Sequence, residues 1–169
     1  MPSTYTLISS NVLSSSASSV TFTAIPSTYT DLVVRFSAKG DTEGVVNGTL
    51  KVEFNGDTAI ADYDSVMLIG DGTSATSAIN TEKILVQMSG QTADGFGSGE
   101  IYIPSYLASA NKPVSAFAVA ESNTANVTMR ATAALYVKTT AISSIAIKQN
   151  SGTNFVSGSS FYLYGIKNS

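Results

Sequence analysis

Three carboxylates, Glu53, Glu100 and Glu121, stand on or at the ends of short β-type runs. Two such groups across one sheet face are the usual apparatus for cleaving a glycosidic bond, one as general acid and the other as base or nucleophile. Tyr102, two residues after Glu100, shares its face in an extended segment and would offer a ring to a sugar. The other reading is that these glutamates are outward-facing solubilising groups, and Glu53 two residues after Lys51 fits it. The chain has no tryptophan, which counts against a sugar-stacking platform. Asp62 and Asp64 at alternate positions, with Asp71, supply the hard oxygens that calcium takes. A structural ion near Asp62, Asp64 and Asp71 therefore stays open, against their reading as turn and edge residues. The loop is no EF-hand, since neither its glycine nor its terminal glutamate falls in place.

Nucleophilic chemistry fares worse. No histidine exists to take a proton from serine. Ser109 and Lys112 have Ser-Lys dyad spacing, but Pro113 follows directly and no partner Lys-Thr-Gly occurs. The glycines of Gly95-Phe96-Gly97-Ser98-Gly99 do not join a strand to a helix, and no Gly-Lys-Ser/Thr phosphate loop is present. No catalytic, cofactor-binding or metal-binding residue is assigned from the sequence, and an enzyme is not expected.

Composition points the same way. About a quarter of the 169 residues are Ser or Thr, only 12% are charged, and the net charge is −3. A surface covered by hydroxyls and amides carries few like-charge repulsions and suits packing against copies of itself or another protein. The basic residues are scattered singly, so nucleic-acid binding is not expected. No run reaches membrane-span length, and Met1–Tyr5 lacks the basic, apolar pattern of a secretory signal. Without cysteine, stability must come from packing and backbone pairing.

The positioning elements read as strands. Leu50-Lys51-Val52-Glu53-Phe54 alternates cleanly, with Leu50, Val52 and Phe54 facing a core and Lys51 and Glu53 facing out. Further runs are Tyr5–Ile8, Ser19–Thr23, Leu32–Phe36, Ser65–Ile69, Lys83–Met88, Glu100–Ile103, Val114–Ala120, Val127–Val137, Ile142–Ile147 and Phe161–Ile166. Turn residues separate them, as at Asn55-Gly56-Asp57 and Gly70-Asp71-Gly72. Thr73–Asn80 and Leu107–Lys112 read as loops or single helical turns. About 8–11 short, evenly spaced strands predict one all-β antiparallel sandwich over residues 1–169. Tyr102, Tyr106, Tyr162 and Tyr164 read either as core rim or as contacts to a subunit or ligand.

Several segments resemble one protein group: Ser3–Ile8, Ile25–Leu32, Phe54–Asp57, Gly99–Pro104 and Phe155–Ile166. Their order and spacing are similar to small virion structural proteins of tailed bacteriophages, including cyanophages. The resemblance implies a jelly-roll-like sandwich on the particle. It allows a capsid decoration (cement) protein, a homotrimer clamping major capsid subunits, or a tail-fibre or receptor-binding module contacting host glycan. A fibre normally carries a long repetitive attachment segment, and these residues contain none, which favours the decoration protein. That role implies synthesis in the host cytoplasm and residence on the outer surface of the capsid. No nucleic acid, membrane or cofactor is implied. The first strand, the last strand or Ser14–Ser19 is expected to reach toward a neighbour.

Overall fold

The computed structural model describes residues 4–42, 47–80, 83–90, 93, 95–121, 127–150, 152 and 154–167. Within them the chain forms twelve strands: β1 (Tyr5–Val12), β2 (Ser19–Phe22), β3 (Asp31–Ala38), β4 (Asn47–Phe54), β5 (Tyr63–Gly70), β6 (Ala75–Asn80), β7 (Ile84–Ser89), β8 (Gly97–Ile103), β9 (Lys112–Glu121), β10 (Val127–Tyr136), β11 (Ile145–Gln149) and β12 (Ser160–Ile166). One short 3-10 turn, Ile60–Asp62, leads into β5.

The strands form two antiparallel sheets. The larger runs β1-β12-β3-β8-β9-β10-β5-β6 and the smaller β2-β11-β4-β7. Setting aside the hairpin partners β5–β6 and β9–β10 leaves eight strands, four per sheet. Their orders, 1-12-3-8 and 2-11-4-7, are those of a jelly roll, in which the chain crosses repeatedly between sheets. The two hairpins extend the larger sheet beyond β8, so it projects past the smaller one.

The inward faces carry the alternating apolar residues of the sequence. Leu32, Val34 and Phe36 of β3, Leu50, Val52 and Phe54 of β4, Ile101 and Ile103 of β8, Ile145 and Ile147 of β11, and Phe161 and Leu163 of β12 join one core. Each such side chain contributes roughly 1.5–3 kcal/mol on burial. Where β7 passes under the larger sheet, the facing residues are small. Ala116 and Ala118 of β9 and Gly97 of β8 line that crossing. A Cβ on Gly97 would stand 2.6 Å from the Ser89 nitrogen, so only glycine permits the approach. Thr132 of β10 donates its hydroxyl to the Leu85 carbonyl at 2.8 Å and ties the β7 edge to the sheet above.

Three expectations change. Thr73–Asn80 is not a loop throughout, because Ala75–Asn80 is strand β6, a twelfth strand paired with β5. Its turn is built by Asp71, whose Oδ1 accepts the N–H groups of Thr73 and Ser74 at 2.8 and 2.7 Å. β11 starts three residues later than its apolar run, because Ile142 to Ser144 pack around Tyr106 and Asn55. β1 continues to Val12 through a bulge between Leu7 and Ser9.

Candidate functional site

The outward-facing residues of the eight-stranded sheet form one exposed face whose two halves differ in chemistry. Register places Ile79 of β6 beside Val66 of β5, Leu68 beside Ala131 of β10, and Ala131 beside Phe117 of β9. Val66, Leu68, Ile79, Phe117, Val127 and Met129 are all exposed, Ile79 by 79%. The two central rows, which run through Ser77, Leu68, Ala131 and Phe117 and through Ile79, Val66, Ala133 and Ser115, carry no charge on these four strands, while Glu121 opposite Val127 and Asp64 on β5 mark the ends of the face. Alanines on β10 between larger residues on β5 leave an apolar trough of about 350 Å³, floored by Ala131 and Ala133 and bordered by Val66, Leu68, Ser77 and Ser115. Contiguous exposed apolar patches are a common feature of contact surfaces.

The other half is aromatic and polar. Arg35 of β3 donates from Nε to Glu100 Oε2 of β8 at 2.7 Å. The hydrogen bond to Glu100 holds the guanidinium above its ordinary pKa. Its carbon lies 5.3 Å from the Tyr5 ring centroid and 6.0 Å from that of Tyr164. Those two rings meet edge to face at 6.3 Å. Tyr102 donates to Asp31 Oδ2 at 2.8 Å, and this bond raises its phenol pKa. At the seam between the halves, Arg35, Glu100, Ser98 and Phe117 border a hollow of about 340 Å³.

The residues singled out by sequence do not converge. Glu53 lies on the smaller sheet, Glu100 on the outer face of the larger, and Glu121 at the far end of β9, where it accepts the Gly95 N–H at 2.7 Å. Glu100 pairs with Phe117, so Glu121 is four residues further along, roughly 13 Å at strand spacing. That exceeds the ~5–9.5 Å separation of glycosidase carboxylates. Asp62 and Asp71 flank opposite ends of β5, roughly 30 Å apart along an extended strand. Asp62 pairs with Lys138 at 2.7 Å, Asp71 caps its hairpin, and no group of three acidic residues suited to a metal occurs among the described residues. Ser109 is exposed, whereas Lys112 is buried and donates from Nζ to the carbonyls of Ala110 and Lys138. Burial lowers the Lys112 pKa. Tyr106 is fully buried and donates to the Pro26 carbonyl. Tyr102, Tyr162 and Tyr164 are half-buried on the candidate face.

Alternation placed Glu53 on an outward face correctly but its burial wrongly. Lys83 donates to its Oε1 and Lys148 to its Oε2 at 2.6 Å, and the two chains cover it. Nothing local in the sequence announces that Lys83 and Lys148, 30 and 95 residues away, meet there. Ser14–Ser19 lies against its own chain: Ala17 bridges Phe155, and Ser157 donates to the carbonyls of Leu13 and Ser14. No family model and no curated protein matches the sequence, and no solved structure matches the fold.

Proposed function

We propose that this chain is a virion structural protein of a tailed bacteriophage, a capsid decoration protein whose homotrimers sit on the outside of the head and bridge major capsid subunits. The observation that carries this reading is the apolar half-face over β9, β10, β5 and β6, with charges only at its ends, offered by a jelly roll with few surface charges. Self-association and capsid contact both need surfaces that exclude water without opposing charges. The segments that resemble phage virion proteins support it further. The mechanism is many weak contacts multiplied by symmetry. Light scattering on the eluting protein should give three times the chain mass. Heads stripped of the protein should bind it saturably and withstand heat better. A monomer that leaves stripped heads unchanged would sink the reading.

The aromatic half favours a second reading, a module that binds host-surface glycan. Tyr5 and Tyr164 grouped around Arg35 and Glu100 combine ring faces with the polar groups that sugar hydroxyls need. Saturable binding to a host polysaccharide, lost in Tyr164→Ala, would support it. A glycan array without a hit would remove it.

A further inference from the structure

The outer face of the smaller sheet gathers three of the chain's nine basic residues around one carboxylate. Lys51 of β4 stands directly across from Lys148 of β11, and Glu53 follows two residues later on the same side. Like charges directly opposed across strands destabilise a sheet unless something compensates. Glu53 cannot compensate all three, because Lys83 takes one of its oxygens and Lys148 the other. Lys51 has no ion pair among the described residues, and the four groups Lys51, Lys83, Lys148 and Glu53 sum to 3 − 1 = +2 on a chain of net charge −3.

A hollow of about 280 Å³ opens beside this cluster, lined by Lys51, Thr58, Ile60, Lys83 and Asn150. Its polar lining is rich in donors. The Lys83 side chain is 9% exposed, and its ammonium has three hydrogens but only the Glu53 acceptor among the described residues. Lys51 adds a second ammonium, Thr58 a hydroxyl and Asn150 an amide, whose Nδ2 gives one hydrogen to Thr49 Oγ1 at 3.3 Å. A buried ammonium facing a hollow without its full set of acceptors calls for an acceptor to fill it.

We propose that this hollow is an oxyanion site, which takes a sulfate, phosphate or carboxylate group with Lys51 and Lys83 as charged donors and Thr58 and Asn150 as neutral ones. The site is independent of what the larger sheet binds. The group can arrive as a free inorganic ion or as the acid group of a saccharide, and the two sources are separable.

Backbone amide NMR on the full chain tests this, with sodium sulfate, sodium phosphate or sodium glucuronate titrated against sodium chloride at matched ionic strength. The expected result is saturable shifts grouped at residues 51, 58, 83 and 150 with an oxyanion and none with chloride. Sulfate or phosphate saturation identifies an inorganic-type ligand, and glucuronate saturation alone identifies an acidic sugar. Lys51→Gln should weaken binding about tenfold, the loss of one charge-assisted contact. Lys167→Gln, on an exposed residue past the end of β12 in the other sheet, should not change it. Should Lys51→Gln fail to fold, Thr58→Val, on an exposed residue, should weaken binding about twofold to threefold. Equal, unsaturated shifts with all four salts would overturn the proposal, as would full affinity in Lys51→Gln.

Discussion

The ring of Tyr63 stacks on that of Tyr136, with centroids 5.0 Å apart and planes inclined by 30°. Phe54 closes the cluster at 5.3 Å from Tyr136. Both hydroxyls turn to one turn residue: Tyr63 donates to the Asp57 carbonyl and Tyr136 to Asp57 Oδ2, each at 3.2 Å. Tyr63 also accepts the Phe54 N–H at 2.9 Å. The pair thus fastens β5 and β10 of the larger sheet to the end of β4 in the smaller one.

Burial is the main reason both phenols resist ionisation; Tyr136 is pushed up to about 12 and Tyr63 is raised further. A group whose folded pKa lies above its unfolded value of ~10 stabilises fully below pH ~10 and loses that contribution as pH climbs through the folded value. Stability should therefore fall between pH ~10 and ~12, each tyrosine adding up to about 1.4 kcal/mol per pH unit. Urea midpoints across that range should fall less steeply in Tyr136→Phe. In Tyr63→Phe the Phe54 N–H loses its acceptor, so stability at pH 7 should drop by about 1–3 kcal/mol.

Glu53 gives the acid counterpart. Burial alone would raise its pKa, but the hydrogen bonds from Lys148 and Lys83 outweigh it and the value ends below the ordinary one. A depressed carboxylate stabilises above its unfolded pKa, and that contribution disappears as pH falls through the folded value. Acid unfolding should therefore extend below pH ~4.3 in the wild type. Glu53→Gln should remove this component and leave Lys83 buried without its counter-ion, at a cost of about 3–5 kcal/mol at pH 7. Calorimetry should register this as a Tm lower by about 10 °C.

Gly97→Ala tests the close crossing of β7. The added methyl would meet the Ser89 nitrogen at 2.6 Å, the Met88 Cα at 2.9 Å and the Val119 carbonyl oxygen at 2.9 Å, all backbone. Backbone cannot swing aside as a side chain can, so we expect a loss of about 3 kcal/mol, the upper end for an overpacked core. Gly72→Ala, in a hairpin turn with φ of +83° and open space around it, should cost only about 1–2 kcal/mol of conformational strain. Equal denaturant midpoints for the two variants would contradict this account of the sheet spacing.

Leu68→Lys combined with Phe117→Lys tests the apolar half-face. Both side chains are exposed, so fold stability should move by no more than about 0.5 kcal/mol. Two charges brought into a dry contact should nevertheless abolish trimers or capsid binding. Light scattering and head co-sedimentation that match the wild type would move the contact elsewhere.

The sequence was most legible where one face is dry and the other wet. Leu50, Val52 and Phe54 alternate because β4 has such faces, and all three are buried as expected. The tight turn at Asn55-Gly56 was equally readable, and both residues have positive φ. β6 was illegible for the opposite reason: as an edge strand exposed along most of its length, it has no apolar stripe to show. The strand around Val114–Ala120 begins earlier than its apolar run, because β9 takes in Lys112 and Pro113. Pro113 is paired with Leu135 of β10 but falls beyond the end of β8, where its missing N–H costs nothing. The two chemistries of the larger face were hidden because they arise from strand order. Tyr5 and Tyr164 meet Arg35 only once β12 lies between β1 and β3.

That placement of β12 also has a mechanical meaning. Tyr5 at the start of β1 lies opposite Ile166 at the end of β12, and their register runs back to Val12 opposite Ser160. Tension drawn between residues 5 and 166 would load this ladder one rung at a time, as a zipper is opened, instead of shearing all rungs together. Each rung is worth only about 1 kcal/mol net, so β1 should peel away at low force while β12 stays paired to β3. The register thus makes this strand pair the place where the sandwich should yield first when it is pulled by these ends.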